Sequence, residues 1–305
     1  MAPQVSVILP THDRRKMVAE AVDSVLAQSF RELEIVVVDD GSEDGTAAAL
    51  EARYGSRVRV VTQARRGAAA ARNLGVGRAR GAYIAFLDSD DLWRPKKLEA
   101  QMDFMRASAG RAICQTEEIW IRNGVRVNPK KKHRKPSGDV FRPSLELCLV
   151  SPSAVLMTRE LFERTGGFDE SFPVCEDYDL WLRIARDHPV YLLPEPLVIK
   201  RGGHADQLSA STWGLDRFRV RAIKKLLDSG IPGEKRKWAV ETLARKAAIL
   251  AHGARKRGHE GEALEYEALI ADFVGESVDD RSGNPGLLPA QGVPRPDRGA
   301  LARLE

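Results

Sequence analysis

Residues 5–9 (VSVIL) and 33–38 (LEIVVV) are short runs rich in β-branched, apolar side chains, and Val18, Val22, Val25 and Leu26 recur between them at helical spacing. The chain therefore opens strand, helix, strand. The same alternation predicts a helix near residues 46–54, a strand near 58–62, a helix near 68–78 and a strand at 83–87. Strands that are apolar on both faces and separated by helices predict a parallel sheet covered on each side, an α/β fold.

Past Leu87 the pattern changes. Pro95 stands where a first helical turn tolerates proline, and Leu98, Met102 and Met105 form an apolar stripe behind it. Residues 113–121 and 125–127 flank Asn123-Gly124, a strong hairpin-turn signal, so a mixed subdomain is expected to follow the parallel half. Residues 213–273 are mostly helix formers, predicting two helices around the Gly258 to Gly261 turn. From Gly275 onward Gly, Pro and Asp replace large apolar residues, which predicts a flexible tail over 275–305.

The 305 residues, 43% hydrophobic and 30% charged, allow one large domain or two small ones. No apolar stretch approaches the ~18 residues of a membrane span. The start, MAPQVSVILP, lacks a basic region followed by a long apolar run, so a cytoplasmic protein is expected. Cys114, Cys148 and Cys175 are widely spaced and predict buried free thiols instead of a disulfide framework or zinc site. The net charge of +5 invites a nucleic-acid reading until it is divided along the chain. Residues 120–142 hold eight Lys or Arg and one Asp, residues 214–272 hold thirteen against nine, and the part carrying the acidic motifs is net negative. No nucleic-acid partner is therefore expected, whereas the basic segments are candidates for acceptor binding or peripheral contact with the inner face of a membrane.

The acidic residues of the first half are clustered. Asp39 and Asp40 follow one predicted strand, and Asp88, Asp90 and Asp91 follow another. Ligands of open parallel sheets bind outside the carboxyl ends of the strands, so both clusters should face one crevice. Converging carboxylates suit a hard cation, Mg2+ or Mn2+, and through it phosphate oxygens. Either cluster alone would read as a turn with a helix cap.

Four blocks, VSVILPTHDR, VVVDDGSEDGT, RGAAAARNLGVGRARGAYIAFLDSDD and GGFDESFPVCEDYDLWLR, resemble in order and spacing the family 2 glycosyltransferases of the GT-A fold, over roughly residues 5–204. The resemblance implies a GT-A domain over 1–212, with a nucleotide-sugar half (1–117), an acceptor and catalytic-base half (118–212) and a basic insert (120–142). A helical extension (213–274) and the tail would lie outside it. It implies donor-nucleotide contacts from Pro10, Thr11, Asp13, Asp40, Arg72 and Asp88, with Asp40 accepting the imide N–H of uracil. Asp90 would be a metal ligand in a DXD motif, and Asp91 a supporting residue or a cap for a helix starting near Trp93. His204 is a further candidate beside the metal. Asp177 would be the catalytic base, oriented by Glu176.

The expected activity is inverting, metal-dependent transfer of a single sugar from a nucleotide-diphospho-sugar, with a UDP-sugar as first choice. The hydroxyl acceptor would be a glycan or a lipid-linked intermediate of cell-surface polysaccharide. The Gln-x-x-Arg-Trp motif of processive synthases is missing; the corresponding stretch reads DLWLRIARD. A sugar-nucleotide nucleotidyltransferase is an alternative, but the segment after the first strand, PTHDRRKMV, lacks the glycines that hold a triphosphate. A non-catalytic sugar-nucleotide-binding module is the other alternative. Gly75, Gly77 and Gly81 suggest a dinucleotide fingerprint, yet they follow a helical run and not a strand.

Overall fold

The computed structural model describes residues 2–108, 110–128, 130–203 and 213–279. The order is β1 (Val5–Thr11), α1 (Arg15–Leu26), β2 (Leu33–Asp40), α2 (Thr46–Tyr54), β3 (Arg59–Gln63), α3 (Ala68–Arg78) and β4 (Tyr83–Phe86). Then come β5 (Leu92–Trp93), α4 (Lys97–Arg106), β6 (Ile113–Arg122), β7 (Val125–Val127), α5 (Phe141–Glu146), β8 (Val155–Thr158), α6 (Arg159–Thr165), α7 (Glu176–Asp187) and β9 (Tyr191–Gly202). Helices α8 (Leu215–Asp228), α9 (Gly233–Lys256) and α10 (Glu260–Asp279) complete the described chain.

The strands form one sheet in the order β3-β2-β1-β4-β8-β6-β9-β5, with β7 paired to β6. The parallel part is the expected one, β3-β2-β1-β4. Beyond β4 the pairings with β8, and of β8 with β6, are antiparallel, while β6 and β9 run parallel. Asn123 and Gly124 both take positive φ, 48° and 77°, as a tight β6–β7 turn requires.

Period-two alternation sorts the strand residues between two cores. Val5, Val7, Leu9, Ile35 and Val37 face α1, α2 and α4, whereas Ile8, Val36 and Val38 face α3 and α7. The second core continues without a break into Ile223, Leu227, Ala239 and Leu243, so α8 and α9 share the interior of the sheet. Helix α10 runs on through Asp279, five residues into the segment expected to be tail.

One local expectation is corrected. No helix starts at Trp93: Leu92 and Trp93 form β5, antiparallel to Val198 and Ile199 of β9, and α4 begins at Lys97. Asp91 is therefore not a helix cap; its Oδ1 accepts the backbone N–H of Arg201 at 3.0 Å. The Trp93 side chain is committed to the interior, its Nε1 donating to the carbonyl of Ser153 at 2.8 Å.

Candidate active site

The carboxyl ends of β1, β2 and β4 meet the amino end of α7 and the end of β9. At β1, Pro10 and Thr11 lie within the strand, and Thr11 Oγ1 is buried with no hydrogen-bond partner. Asp13, in a left-handed conformation at φ 48°, accepts the N–H groups of Glu43 at 2.7 Å and Asp44 at 3.3 Å. It thereby ties the loop after β1 to the loop after β2.

Asp40 is buried at the end of β2 and holds the loop that leads into α3. Its Oδ1 accepts Gln63 Nε2 at 2.6 Å and the N–H of Arg66 at 2.8 Å, and its Oδ2 accepts the N–H of Gly67 at 2.8 Å. Four lone-pair positions less three leave one acceptor position on Oδ2. Gln63 and the Arg66-Gly67 turn were missed in the sequence because their part is played by backbone and amide groups that no motif reports.

Asp88, Asp90 and Asp91 each bring a carboxylate oxygen within 4.8 Å of the others. Asp90 Oδ2 lies 3.1 Å from Arg14 Nη1, and Arg201 Nε donates to the Asp90 carbonyl. Burial, reinforced by Asp90 and Asp88 against the pull of Lys200, pushes the Asp91 carboxyl well above its ordinary range. Asp88 moves the opposite way: burial would raise it, but Arg72, Lys200 and Arg14 together hold it below the usual carboxylate range. His204 lies outside the described residues.

Arg72 is neither exposed nor turned to solvent. From the buried face of α3 it donates through Nη2 to Asp88 Oδ1 at 2.7 Å and through Nη1 to Glu176 Oε1 at 2.6 Å, while its Nε has no partner. One guanidinium thus joins the DXD aspartate to the acidic pair of α7. Glu176, buried, is raised by that burial and by Asp177, with Arg72 opposing.

The contacts correct the part expected of Glu176. Its carboxylate goes to Arg72, and Asp177 is held by other groups. Asp177 Oδ1 accepts the N–H of Tyr178 at 2.7 Å, and Oδ2 accepts the thiol of Cys148 at 3.4 Å. Burial first, then Asp177, keeps that thiol well above its ordinary pKa and hence protonated. Cys148, expected as a buried free thiol, is free and half-buried, and nothing in its flanks pairs it with a residue 29 positions away.

Lys200 is the other residue the sequence did not reveal. It sits on β9 opposite Trp120 of β6 and donates to Ser151 Oγ at 3.2 Å. Burial alone would lower it; Glu118, Asp91, Asp88 and Asp177 together raise it. Beside it Glu118 is held down at about 2, against burial, by Lys135 at 2.9 Å. Asp177, Cys148, Lys200 and Trp120 line a cavity of about 230 Å³.

A parallel half-sheet with acidic strand ends is thus joined through one arginine to a carboxylate pair. A family model described as glycosyl transferase family 2 matches residues 6–166, and one described as glycosyltransferase-like family 2 matches residues 139–219. The chain belongs to glycosyl transferase family 2, and it is a glycosyltransferase. An uncharacterised glycosyltransferase of Rickettsia typhi is 32% identical over 72% of this chain and 70% of its own, whereas the chain spans only 35% of a Rickettsia felis relative. A putative teichuronic acid biosynthesis glycosyltransferase of Bacillus subtilis, TuaG, is 46% identical over 60% of this chain and 73% of its own.

Among solved structures, Staphylococcus aureus TarS 1-349 in complex with UDP-GlcNAc shares the fold at a TM-score of 0.70 and 19% identity, over 91% of this chain and 83% of that one. Pyrobaculum calidifontis mannosyltransferase PcManGT, in complex with GDP-Man and Mn2+, matches at a TM-score of 0.59 and 21% identity, over 92% and 88%. The fold is thus of the GT-A type. Among the described residues no helix is long and apolar enough to cross a membrane.

Proposed function

We propose that the chain transfers one sugar, with inversion, from a nucleoside-diphospho-sugar to a hydroxyl acceptor in cell-surface polysaccharide assembly. The observation that carries this reading is the Arg72 bridge between Asp88 and Glu176, which sets the carboxylates suited to a diphosphate-bound cation against the residues suited to proton removal. The donor's base and ribose would lie over Pro10, Thr11 and Asp13, with the unpartnered Thr11 hydroxyl and the free Oδ2 position of Asp40 as polar contacts. That position suits the imide N–H of uracil, and the UDP-GlcNAc bound by TarS favours the same choice.

Three carboxylate oxygens within 4.8 Å form a hard donor set that fits Mg2+ or Mn2+, with Asp90 as the principal ligand and Asp88 and Asp91 beside it. When bound, such a cation neutralises the charge that grows on the departing diphosphate. The bound GDP-Man and Mn2+ of PcManGT are in keeping with this. Arg72 fixes the spacing of Asp88 and Glu176. Asp177, held by Tyr178 N–H and the Cys148 thiol, takes the proton of the acceptor hydroxyl as that oxygen attacks the anomeric carbon from the face opposite the diphosphate. A single displacement inverts the configuration.

A panel of nucleotide sugars with Mg2+ or Mn2+, assayed for free nucleoside diphosphate, tests the reading. Metal-dependent release from one donor is the expected result, with Asp90→Asn inactive. Release of pyrophosphate from a nucleoside triphosphate and a sugar phosphate would instead establish a nucleotidyltransferase, and binding without turnover a sugar-nucleotide-binding module.

A further inference from the structure

Asp40 presents its two carboxylate oxygens unequally. The register of β2 and β3 sets Gln63, at the end of the edge strand, directly beside Asp40, so both side chains leave the sheet on one face. A carboxylate oxygen offers two acceptor positions. Oδ1 is full, accepting Gln63 Nε2 at 2.6 Å and the N–H of Arg66 at 2.8 Å. Oδ2 accepts the N–H of Gly67 at 2.8 Å and keeps one position.

Two of these three donors are backbone groups of a loop that is itself tied down. The Arg66 side chain pairs with Glu170 at 2.7 Å, and Glu170 accepts Asn73 Nδ2 at 3.0 Å. Gln63 is therefore the one donor of the three that a change of side chain removes. It is also the one whose group carries a second N–H, since an amide nitrogen has two.

The fold leaves the base open: TarS binds UDP-GlcNAc and PcManGT binds GDP-Man. The bases differ in what they offer. Uracil presents one N–H between two carbonyls. Guanine presents a ring N–H beside an exocyclic amino group, two parallel donors that pair with a carboxylate one to each oxygen. With Oδ1 full, the second donor finds no acceptor, and the remaining N–H of the Gln63 amide opposes it donor to donor. A donor left unpaired in this way costs affinity, whereas the carbonyl next to the imide N–H of uracil suits the same amide.

We propose that Gln63 is a specificity-determining residue: by filling Asp40 Oδ1 it admits a base with a single N–H on that edge, uracil or thymine, and turns guanine away. The proposal rests on Asp40 as the group that reads the base. A bare carboxylate at that position accepts guanine as readily as uracil, so the selection lies in its neighbour.

Size also separates purines from pyrimidines, so the informative pair is two purines that differ only in the amino group. GDP and IDP, whose hypoxanthine keeps the ring N–H and lacks the amino group, are compared by calorimetry with Mg2+ for the unaltered protein and for Gln63→Ala. The unaltered protein should bind IDP about tenfold more tightly than GDP. Gln63→Ala opens the Oδ1 position to the amino group, and GDP should then bind at least as tightly as IDP. Thermal unfolding of the variant without nucleotide checks that it folds. Equal affinities in the unaltered protein, or a ratio unmoved by the substitution, would overturn the proposal. Exclusion of both purines from both proteins would overturn it as well, by assigning the choice of base to the width of the pocket. The reading of Asp40 has its own control in UDP methylated at the imide nitrogen. That probe should bind the unaltered protein at least tenfold more weakly than UDP. Equal binding would remove Asp40 from the base site, a failure separate from an unmoved ratio of GDP to IDP.

Discussion

Arg72 Nη1 lies 2.6 Å from Glu176 Oε1, across 104 residues of sequence, in a buried ion pair. The pair carries α3, which packs on β1 and β2, to the first turn of α7, where Asp177 follows Glu176. The same guanidinium reaches Asp88, so a single side chain positions both halves of the proposed chemistry. Removing one partner of a buried pair leaves the other charge uncompensated.

Arg72→Ala is therefore expected to cost about 3–5 kcal/mol of stability, and Arg72→Lys less, because one ammonium lacks the planar fork that spans two carboxylates. Urea denaturation measures this, and turnover should fall with it in both variants. A fully stable and active Arg72→Ala protein would mean the bridge has no such role.

Cys148 has one S–H and two acceptors, Asp177 Oδ2 at 3.4 Å and the Val150 carbonyl at 3.3 Å. The thiol is one of the two donors that hold the Asp177 carboxylate, so its loss frees Oδ2 to turn away from the acceptor hydroxyl. Cys148→Ala should lower kcat by roughly tenfold with donor affinity unchanged. Cys148→Ser should restore most of it. An unchanged kcat in Cys148→Ala would remove the thiol from the account.

Lys97 is fully buried, with Nζ 2.6 Å from Gln101 Oε1 and 3.9 Å from the centre of the Trp93 ring. Burial, with a smaller push from Lys135 against Cys114, brings it down to about 7. The unfolded chain keeps this proton up to about pH 10.4. Between the two values the unfolded state binds more protons, so this group makes stability rise with pH through that window; the contribution is lost as pH falls through about 7. Lys97→Met should flatten that rise between about pH 7 and 9 in urea titrations and stabilise the protein at neutral pH by roughly 1 kcal/mol. Parallel profiles for the two proteins would contradict the assignment.

Gly75, which superficially belongs to a dinucleotide fingerprint, has a packing role. A Cβ there would meet Ile8 Cγ2 at 2.4 Å and Val38 Cγ2 at 3.1 Å, so the glycine lets α3 lie close on β1 and β2. Gly75→Ala should destabilise by about 1–3 kcal/mol in thermal or urea unfolding, with no specific loss of nucleotide affinity in the folded protein.

The parallel half-sheet was legible because its strands are apolar on both faces and its helices keep a clear period, and the β6–β7 turn because Asn123-Gly124 is a local signal. The two-residue strand β5 was not. Leu92 and Trp93 are too few to show a period, and their pairing partners lie more than a hundred residues away. The acidic candidates follow strand ends and could be found by position. Their counter-charges could not: Arg14, Lys200 and Arg201 reach the aspartates only through the sheet's long-range order, and Cys148 reaches Asp177 only through the packing of α5 on α7. The basic insert was visible as charge, but which of its residues line the cavity with Asp177 depends on the β6–β9 pairing that sets Trp120 opposite Lys200.

The proposed chemistry is tested most directly by Asp177→Asn, compared with the unaltered protein for donor affinity and for turnover in the same metal-containing buffer. Asparagine preserves the shape of the side chain and removes its basicity. The expected result is unchanged nucleotide-sugar affinity with turnover reduced by a factor of roughly 100 to 10,000. Turnover within a few-fold of the unaltered protein would place the base elsewhere and contradict the account.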